Sequence, residues 1–248
     1  MDSQYFKEYY QLERSNWWFT ARLEILKSQI KELSNNRTDL KILNIGVATG
    51  ATSEMLEQFG KVKSIEFDEN CFEFVKNTLT IDIEKGSILE LQFEKESFDL
   101  VCAFDVIEHV EDDKLAAIEM KRVCKNNGFV FVTVPAFISL WGQHDVVNHH
   151  FKRYKKFELE QLFSENGKIK FSTYFNAWFF IPAFLIRKLT NSFPNIFKRD
   201  GSGSDHSMFK LGFLNTVFHY VFLSENSLLK NKISLPFGVS AMICWNKK

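Results

Sequence analysis

A chain of 248 residues is long enough for one large domain, or for a core domain with an added segment. Apolar residues make up 45% of the chain and charged residues 25%, a balance that excludes an intrinsically disordered protein. The 31 Lys and Arg residues cancel the 31 Asp and Glu residues, so there is no overall basic field to attract nucleic acid.

The four cysteines lie far apart and form no C-x-x-C pair. Such a pattern is typical of reduced thiols, and we therefore expect a cytoplasmic protein. The first residues contain no basic segment followed by an apolar core, so we also expect no signal peptide.

The first half of the chain alternates between two kinds of apolar pattern. Residues 4–34 repeat apolar side chains at helical spacing, which predicts an N-terminal helical segment. Strands are predicted at 40–45, 62–66, 80–83, 98–103 and 129–134, with helices at 52–59, 69–77 and 113–124. Short apolar strands that alternate with helices are typical of βαβ units, so we expect a doubly wound, mostly parallel sheet with helices on both faces.

After residue 135 the pattern changes. Residues 136–156 are rich in aromatic, histidine and basic residues and lack clear periodicity. Beyond them we predict a helix at 157–163, a strand at 168–175, an apolar run at 174–186, a linker at 191–207, a Phe-rich helix at 208–223 and a last strand at 239–245.

The apolar run at 174–186 is too short to span a bilayer, which takes about 20 residues. We therefore expect at most a peripheral membrane contact. The alternatives for the aromatic segments are a second small core and a homodimer interface.

A glycine-bearing turn follows the first predicted strand. Gly46 permits a sharp turn, and Gly50 lets the backbone approach a ligand closely just before a helix with free N–H groups. Glu66 ends the next strand, where a carboxylate can accept hydrogen bonds from both hydroxyls of a ribose. This arrangement predicts a site for an adenosine-containing ligand, either a dinucleotide or S-adenosylmethionine; the alternative is a tight turn beside a solvated glutamate. Ala48 disfavours the dinucleotide, because its methyl group would stand where a pyrophosphate needs the closest approach.

Further segments follow in a recognisable order. They are Asn16-Trp17-Trp18-Phe19 with Arg22, Gly86-Ser87-Ile88, the stretches 97–101, 105–110 and 122–128, Asp145 with His150, Arg153 and Tyr154, and the stretch 235–240. Taken together with the glycine turn, they resemble the class I S-adenosylmethionine-dependent methyltransferases, in particular the small-molecule O-methyltransferases of quinone and sugar pathways. The resemblance covers almost the whole chain.

The resemblance implies a fold and a division of the chain. The fold is a Rossmann-like, seven-stranded, mostly parallel sheet with an antiparallel last strand, an N-terminal helical lid and a C-terminal, aromatic-rich helical insertion. The lid is expected at 1–38, the cofactor-binding core at 39–135 and the acceptor-binding part at 136–248.

The resemblance also implies that S-adenosylmethionine is the cofactor. The residues it assigns to cofactor binding are Arg22, Gly46, Gly50, Glu66, Phe67, Ser87, Ile88 and Phe104. Glu66 is expected to hold the ribose, and Ser87, which replaces the usual Asp, to meet the amino edge of the adenine. Arg22 is expected to bind the methionine carboxylate; the alternative is a solvated helix cation.

Methyl transfer requires an acceptor held in line with the departing sulfur and, for a hydroxyl acceptor, a base. The candidate catalytic residues are His150, Asp145, His109 and His144. We favour His150 as the base or as the residue that orients the acceptor, with Asp145 setting its tautomer, because their segment leaves the fifth strand near the cofactor crevice. The alternative is a structural histidine.

The residues after His150 suggest the kind of acceptor. Lys152 and Arg153, with Tyr154, suit a phosphate or carboxylate group. We therefore expect a small-molecule acceptor such as a sugar or phosphorylated intermediate of surface-glycan biosynthesis. The alternatives are a lipid or quinone acceptor at the membrane surface, and a binding protein that keeps the fold without activity.

Asp105, Glu108 and His109 allow two interpretations. The D-x-x-E spacing of the two acids is that of a helix capping box. A similar acidic pair with a histidine is associated with a divalent cation in quinone-pathway methyltransferases, so the alternative is a Mg²⁺ site on these three residues.

Overall fold

A computed structural model describes residues 3–192 and 212–248. The helices are α1 (Ser3–Ser15), α2 (Trp17–Leu33), α3 (Ala51–Leu56), α4 (Glu69–Thr78), α5 (Asp113–Val123), α6 (Gln143–Val147), α7 (Lys156–Leu162), α8 (Phe180–Ser192) and α9 (Gly212–Lys230). The strands are β1 (Leu40–Ile45), β2 (Gly60–Glu66), β3 (Ile83–Lys85), β4 (Phe98–Phe104), β5 (Cys124–Pro135), β6 (Gly167–Phe175) and β7 (Ser240–Lys247). Nearly all of the linker predicted at 191–207, and the beginning of the helix predicted at 208–223, lie outside the described residues.

The seven strands form one sheet in the order β3-β2-β1-β4-β5-β7-β6. Neighbouring strands are parallel from β3 to β5, whereas β7 runs antiparallel to both β5 and β6. The predicted fold, a mostly parallel sheet with an antiparallel last strand, is therefore confirmed.

Helices cover both faces of the sheet and bury two hydrophobic clusters. One cluster includes residues of α5 and α7, and the other includes residues of α2, α3 and α9. Because both faces are covered, the central strands are buried along almost their whole length: β4 and the second half of β5 expose almost no side chain.

This topology brings the loops that can bind a ligand to one edge. The strand order reverses between β1 and β4, which start the two halves of the sheet in opposite directions. In open α/β sheets, ligands bind beyond the carboxyl ends of the strands at such a switch point. A ligand site is therefore expected in the segments that follow β1, β2, β4 and β5.

Two predicted elements differ from those observed. The N-terminal helical segment is two helices, because Asn16 leaves the helical conformation and its side chain accepts a hydrogen bond from the Trp18 N–H (2.9 Å). The third strand begins at Ile83 and not at residue 80. Before it, Leu79 packs against the glycine turn: a Cβ on Gly50 would lie 2.3 Å from the Leu79 Cδ1 atom.

In the two described stretches of the chain, no helix combines the length and the apolar character needed to cross a bilayer.

Candidate active site

The turn after β1 requires glycine at two positions. Gly46 and Gly50 have φ angles of +70° and +93°, which side chains rarely tolerate. A Cβ on Gly46 would also lie 2.5 Å from the Cγ2 atom of Val106, which follows β4. The missing side chain thus lets the segments after β1 and β4 approach each other at the carboxyl edge.

Ala48, which replaces the middle glycine, keeps the backbone shape of the turn. Its φ angle is +48°, in the left-handed region where a Cβ costs about 1–2 kcal/mol. The departure from the family pattern therefore introduces local strain, and the turn retains its shape.

Glu66 ties this turn to the end of β2. Its carboxylate accepts hydrogen bonds from the backbone N–H groups of Val47 (2.9 Å), Ala48 (3.3 Å), Phe67 (2.8 Å) and Asp68 (2.9 Å). The contact to Ala48 is the longest, so the Oε2 atom is the one best able to share a lone pair with a ribose hydroxyl.

The residues expected near the adenine lie in different environments. The Phe67 side chain is 74% exposed, whereas Ile88, expected on the other side of the adenine, is buried. Phe104, whose backbone is expected near the methionine amino group, is buried in the other cluster. The Ser87 Oγ atom accepts a hydrogen bond from the Leu89 N–H (3.2 Å). Of these residues, Phe67 is the one with an open aromatic face on which a base can stack.

Arg22 joins the ends of β4 and β5 and is not a solvated cation. It is buried, and its Nη2 atom donates to the Asp105 Oδ2 atom (2.7 Å) and to the Thr133 Oγ1 atom (2.6 Å). Its Nε–H is buried and has no hydrogen-bond partner among the described residues. An unpaired guanidinium donor at this edge suits a carboxylate such as that of the methionine moiety.

Glu13 was not expected from the sequence. This residue of α1 is buried, accepts a hydrogen bond from the Thr49 hydroxyl, and is also hydrogen-bonded to the backbone of Thr49 and Ala51. Burial raises the pKa of its carboxyl to about 7, even though these hydrogen bonds and Arg14 act in the opposite direction. The end of α1 thus rests on the glycine turn, and no sequence motif marks the contact.

These contacts fit S-adenosylmethionine. The turn lets the backbone come close to a ligand, Glu66 can share an oxygen with a ribose, and the Arg22 Nε–H needs an acceptor. Several of the expected cofactor residues thus lie at one edge of the sheet, and their assignment to the cofactor stays a prediction.

The expected pairing of His150 with Asp145 is present. The His150 Nδ1 atom lies 2.9 Å from the Asp145 Oδ1 atom, and the buried carboxylate also accepts hydrogen bonds from Arg153 Nε (2.7 Å), Arg153 Nη2 (3.1 Å) and the Gly142 N–H (2.8 Å). Burial alone would raise the pKa of Asp145, but the hydrogen bonds from His150 and Arg153 outweigh it and hold the pKa well below its usual range. Because an ionised carboxylate only accepts hydrogen bonds, the His150 Nδ1 atom carries a proton, and Nε2 is the ring nitrogen left for another partner.

A second acidic residue lies beside this pair. Glu108, His109 and His150 each offer a ligand atom, and these atoms all lie within 4.8 Å of one another. Glu108 is fully buried, and neither of its carboxylate oxygens has a hydrogen-bond partner in the described structure. Burial, and then the charge of Asp105, raise the pKa of Glu108 well above its usual value. Burial and the neighbouring His150 lower the pKa of His109 to about 4, so that the ring is neutral at pH 7.

Asp105 does not join this cluster, and the capping box does not form. Asp105 has a φ angle of +57° and pairs with Arg22, while the short 3₁₀ segment Ile107–His109 has no side-chain cap. The expected set of Asp105, Glu108 and His109 is therefore replaced by Glu108, His109 and His150, because the ion pair with Arg22 holds Asp105 elsewhere.

The residues expected to bind a polar acceptor are engaged within the protein. Arg153 binds Asp145, Lys152 forms an ion pair with Asp113, and the Tyr154 hydroxyl donates to the Asp113 carboxylate (3.0 Å). His144, the remaining catalytic candidate, has its ring centre 5.8 Å from that of His150.

Next to the histidines lies an apolar surface. No residue of α8 is buried. Its apolar residues Ile181, Leu185 and Leu189 are each at least 50% exposed. This surface, here called the α8–α9 face, continues over Trp178 and α9, where Phe213 is 79% exposed and Tyr220 65%. Trp178, Phe213 and Tyr220 also line a shallow apolar groove.

The α8–α9 face packs against the segment that precedes Asp145 and His150. The Phe180 ring of α8 lies 5.4 Å from that of Phe137, and the Asn191 amide donates to the Trp141 carbonyl (2.9 Å). A Cβ on Gly142 would lie 2.6 Å from an Arg187 guanidinium nitrogen, so α8 packs directly on the turn that binds Asp145.

Comparisons with known proteins agree with this geometry. Residues 43–132, which contain the glycine turn, Glu66 and the segment after β4, match the family model described as a methyltransferase domain. A ubiquinone biosynthesis O-methyltransferase of Pelagibacter ubique is 30% identical over 115 residues, which are 43% of this chain and 45% of that protein. A demethylmenaquinone methyltransferase of Staphylococcus aureus is 31% identical over 120 residues, which are 43% of this chain and 50% of that protein.

The chain thus spans about half the length of these curated relatives. Solved structures extend the likeness of fold further. A S-adenosylmethionine-dependent methyltransferase from Thermotoga maritima superimposes with a TM-score of 0.60 over 98% of this chain and 95% of that one, at 16% identity.

Proposed function

Because the chain belongs to the class I S-adenosylmethionine-dependent methyltransferases, we propose that it transfers a methyl group to an oxygen atom of a small acceptor with an apolar body. The observation that carries the proposal is the meeting of two sets of residues at one edge of the sheet. Gly46, Glu66 and Arg22 form the cofactor end of the site, while His150 with Asp145 forms its acceptor end.

The protein's own residues define the reaction. S-adenosylmethionine, when bound, supplies a methyl group on a positively charged sulfur. The residues of this site would hold the acceptor oxygen in line with that methyl group, and the sulfur would keep the electron pair of the broken carbon–sulfur bond. The lone pair that Asp145 maintains on the His150 Nε2 atom is the group that handles the acceptor's proton.

An apolar acceptor is supported by what surrounds the histidines. The sugar or phosphorylated acceptor expected first depended on Lys152, Arg153 and Tyr154, whose polar groups are paired inside the protein. The α8–α9 face is exposed beside the same segment. Two relatives are named for methylation in quinone pathways, one of them as an O-methyltransferase of ubiquinone biosynthesis. We therefore place the acceptor in the lipid or quinone class, reached at a membrane surface.

The test is a pair of binding measurements followed by an assay. Calorimetry is expected to detect S-adenosylhomocysteine and no NAD. Glu66→Ala is expected to weaken the binding of S-adenosylhomocysteine by about 1.5–3 kcal/mol, because hydrogen bonds to a charged acceptor are lost. Wild-type protein and His150→Ala are then compared for transfer of labelled methyl groups to a lipid extract and to a polar metabolite extract. Binding of NAD without S-adenosylhomocysteine contradicts the reaction, and labelling of the polar extract alone contradicts the acceptor class.

A further inference from the structure

A carboxylate of α1 is bound to the backbone of the glycine turn. Glu13 is 6% exposed, and its Oε2 atom accepts a hydrogen bond from the Thr49 hydroxyl. The carboxylate is also hydrogen-bonded to the backbone of Thr49 and of Ala51, the residues on either side of Gly50. Glu13 therefore occupies hydrogen-bond donors of the turn that leads from β1 into α3.

In dinucleotide-binding folds the equivalent donors face the ligand. There the turn after the first strand approaches the pyrophosphate, and backbone N–H groups bind its negative charge. In this chain the backbone of Thr49 and Ala51 is bound by an internal carboxylate instead. A phosphate group that entered here would have to displace a buried side chain whose ionised form carries charge of the same sign.

Other contacts of α1 hold Glu13 in this position. Its neighbour Arg14 forms an ion pair with Glu54 of α3. Near the start of the helix, the Phe6 ring stacks on Phe74 of α4, with the ring centres 5.6 Å apart. Because α1 is attached to two other helices, the Glu13 carboxylate can leave the turn only if α1 moves with it.

The charges near the turn favour a cation over an anion. Arg14 lies between two acids, 3.9 Å from the Glu13 Oε2 atom and bound to Glu54, so it cannot neutralise both. Glu66 adds a further carboxylate at the end of β2. Burial raises the pKa of Glu13 to about 7, so the side chain adds a negative charge above that pH. S-adenosylmethionine is positively charged at its sulfur, whereas a dinucleotide has negatively charged phosphates.

We propose that Glu13 is the residue that excludes phosphate-containing nucleotides, so that the site accepts an adenosine ligand without phosphate groups. The inference rests on the cofactor part of the proposed function and does not depend on the acceptor. The sequence alone attributed the exclusion of a dinucleotide to the methyl group of Ala48. Both explanations predict that the wild type rejects a diphosphate, but they differ in the substitution that would admit it.

The test compares two ligands that differ only in the diphosphate. Calorimetry on the full chain at pH 8 measures the affinities for adenosine and for ADP, and their ratio is the readout. We expect the wild type to bind ADP at least about tenfold more weakly than adenosine. Glu13→Gln should raise the affinity for ADP relative to adenosine by at least about tenfold, because the amide is uncharged and its NH₂ group can donate to a phosphate. A purely structural role of Glu13 would change both affinities equally and leave the ratio unchanged.

Three further variants complete the design. Glu57→Gln removes the same charge from an exposed acid in the 3₁₀ segment after α3, and it should leave the ratio unchanged because that charge is solvated. Ala48→Gly removes the methyl group with Glu13 in place and should also leave the ratio unchanged. Glu13→Ala frees the same donors and serves as the test if Glu13→Gln does not fold.

The outcomes separate this proposal from its alternatives. The same ratio in the wild type, Glu13→Gln and Glu13→Ala overturns it, as does wild-type protein that binds ADP as well as adenosine or binds neither. A rise in Ala48→Gly without one in Glu13→Gln assigns the exclusion to Ala48, and an equal rise in Glu57→Gln makes it a general effect of charge; both overturn the role of Glu13.

The same measurements are independent of the acceptor assay. If Glu13→Gln gains affinity for ADP while the wild type labels neither extract, the role of Glu13 stands and methyl transfer is contradicted. If the wild type transfers methyl groups while the ratio is unchanged in both Glu13 variants, methyl transfer stands and the role of Glu13 is overturned.

Discussion

The two ends of the site are built from different parts of the chain. At the cofactor end, the backbone provides most contacts: four amide groups bind Glu66, and the φ angles of Gly46 and Gly50 shape the turn. At the acceptor end, side chains bind side chains, as Asp145 does with His150, while the Glu108 carboxylate has no partner in the described structure. The proposed cofactor end is thus nearly complete within the protein, whereas the proposed acceptor end contains a buried carboxylate without a hydrogen-bond partner among the described residues.

The largest effect expected from this difference is on turnover. His150→Ala should lower kcat by about 10²–10⁴-fold and leave the affinity for S-adenosylhomocysteine nearly unchanged, because the ring belongs to the acceptor end alone. Steady-state kinetics and calorimetry on the same preparation measure both quantities. His149→Ala is the matched control, and parallel losses of turnover and cofactor affinity would mean that the two ends are not separable.

The next largest effect concerns Glu13 at the cofactor end. The pKa of the Glu13 carboxyl is about 7 in the folded protein and 4.5 ordinarily. The contribution of Glu13 to the free energy of unfolding is therefore fully present below pH 4.5 and is lost as the pH rises through 7. Glu13→Gln should therefore match the wild type near pH 4.5 and exceed its free energy of unfolding at pH 8 by at most about 3 kcal/mol.

Urea unfolding of both proteins at several pH values measures this difference. Gln11→Ala, which changes an exposed and uncharged residue of the same helix, is the control and should leave the pH dependence unchanged because it removes no titratable group. If Glu13→Gln and the wild type differed in free energy of unfolding by the same amount at pH 4.5 and pH 8, burial would not raise the pKa of Glu13.

The next effect, of at least tenfold, is expected on the association of the α8–α9 face with lipid vesicles. The face contains two basic residues, Arg187 and Lys188, and no acidic residue within the described ranges 178–192 and 212–224. Because basic residues attract anionic headgroups, the protein should bind vesicles with anionic lipids better than neutral ones. Introducing Leu185→Glu and Leu189→Glu together should lower vesicle association at least tenfold by placing charges on an apolar surface.

Flotation with vesicles of mixed neutral and anionic lipid measures this association. Ile118→Glu, which changes an equally exposed apolar residue on α5, should have no effect. If the double variant and the wild type floated equally, the α8–α9 face would not be the surface that contacts the membrane. Recovery of the wild type only in detergent after a high-salt wash would contradict a peripheral contact.

The smallest effect concerns strain in the glycine turn. Ala48→Gly should raise the free energy of unfolding by up to about 1 kcal/mol, because Ala48 has a φ angle of +48°. Denaturant unfolding measures it, with Ala183→Gly in α8 as a control that should destabilise by about 1 kcal/mol. If both variants destabilised equally, the left-handed turn would not be strained.

The sequence predicted the shape of the turn after β1 better than the side-chain contacts around His150, for a physical reason. A strand followed by Gly46 and Gly50, with Glu66 at the end of the next strand, is a local pattern that the backbone alone dictates. The fold followed from the same kind of evidence, since apolar periodicity predicts strands and helices and their alternation predicts a parallel sheet.

The acceptor end depends on contacts between residues that are distant in the sequence. Asp105 was grouped with Glu108 because they are close in sequence, yet Arg22, 83 positions away, binds it in the fold. The contact of Glu13 with Thr49 is likewise non-local. Lys152 and Arg153 were expected to face an acceptor, and only the folded structure reveals Asp113 and Asp145 as their partners.

The position of β7 has a consequence for the order of folding. Among the described strands, β6 pairs with β7 alone, and β7 in turn pairs with β5, so β7 lies between two strands that precede it in the sequence. During translation β6 therefore has no sheet to join until residues 240–247 leave the ribosome, whereas β1 to β5 can assemble earlier. A nascent chain arrested before residue 240 would expose the edge of β5 and leave β6 unpaired, and chaperones that bind unpaired strands would act at this stage of synthesis.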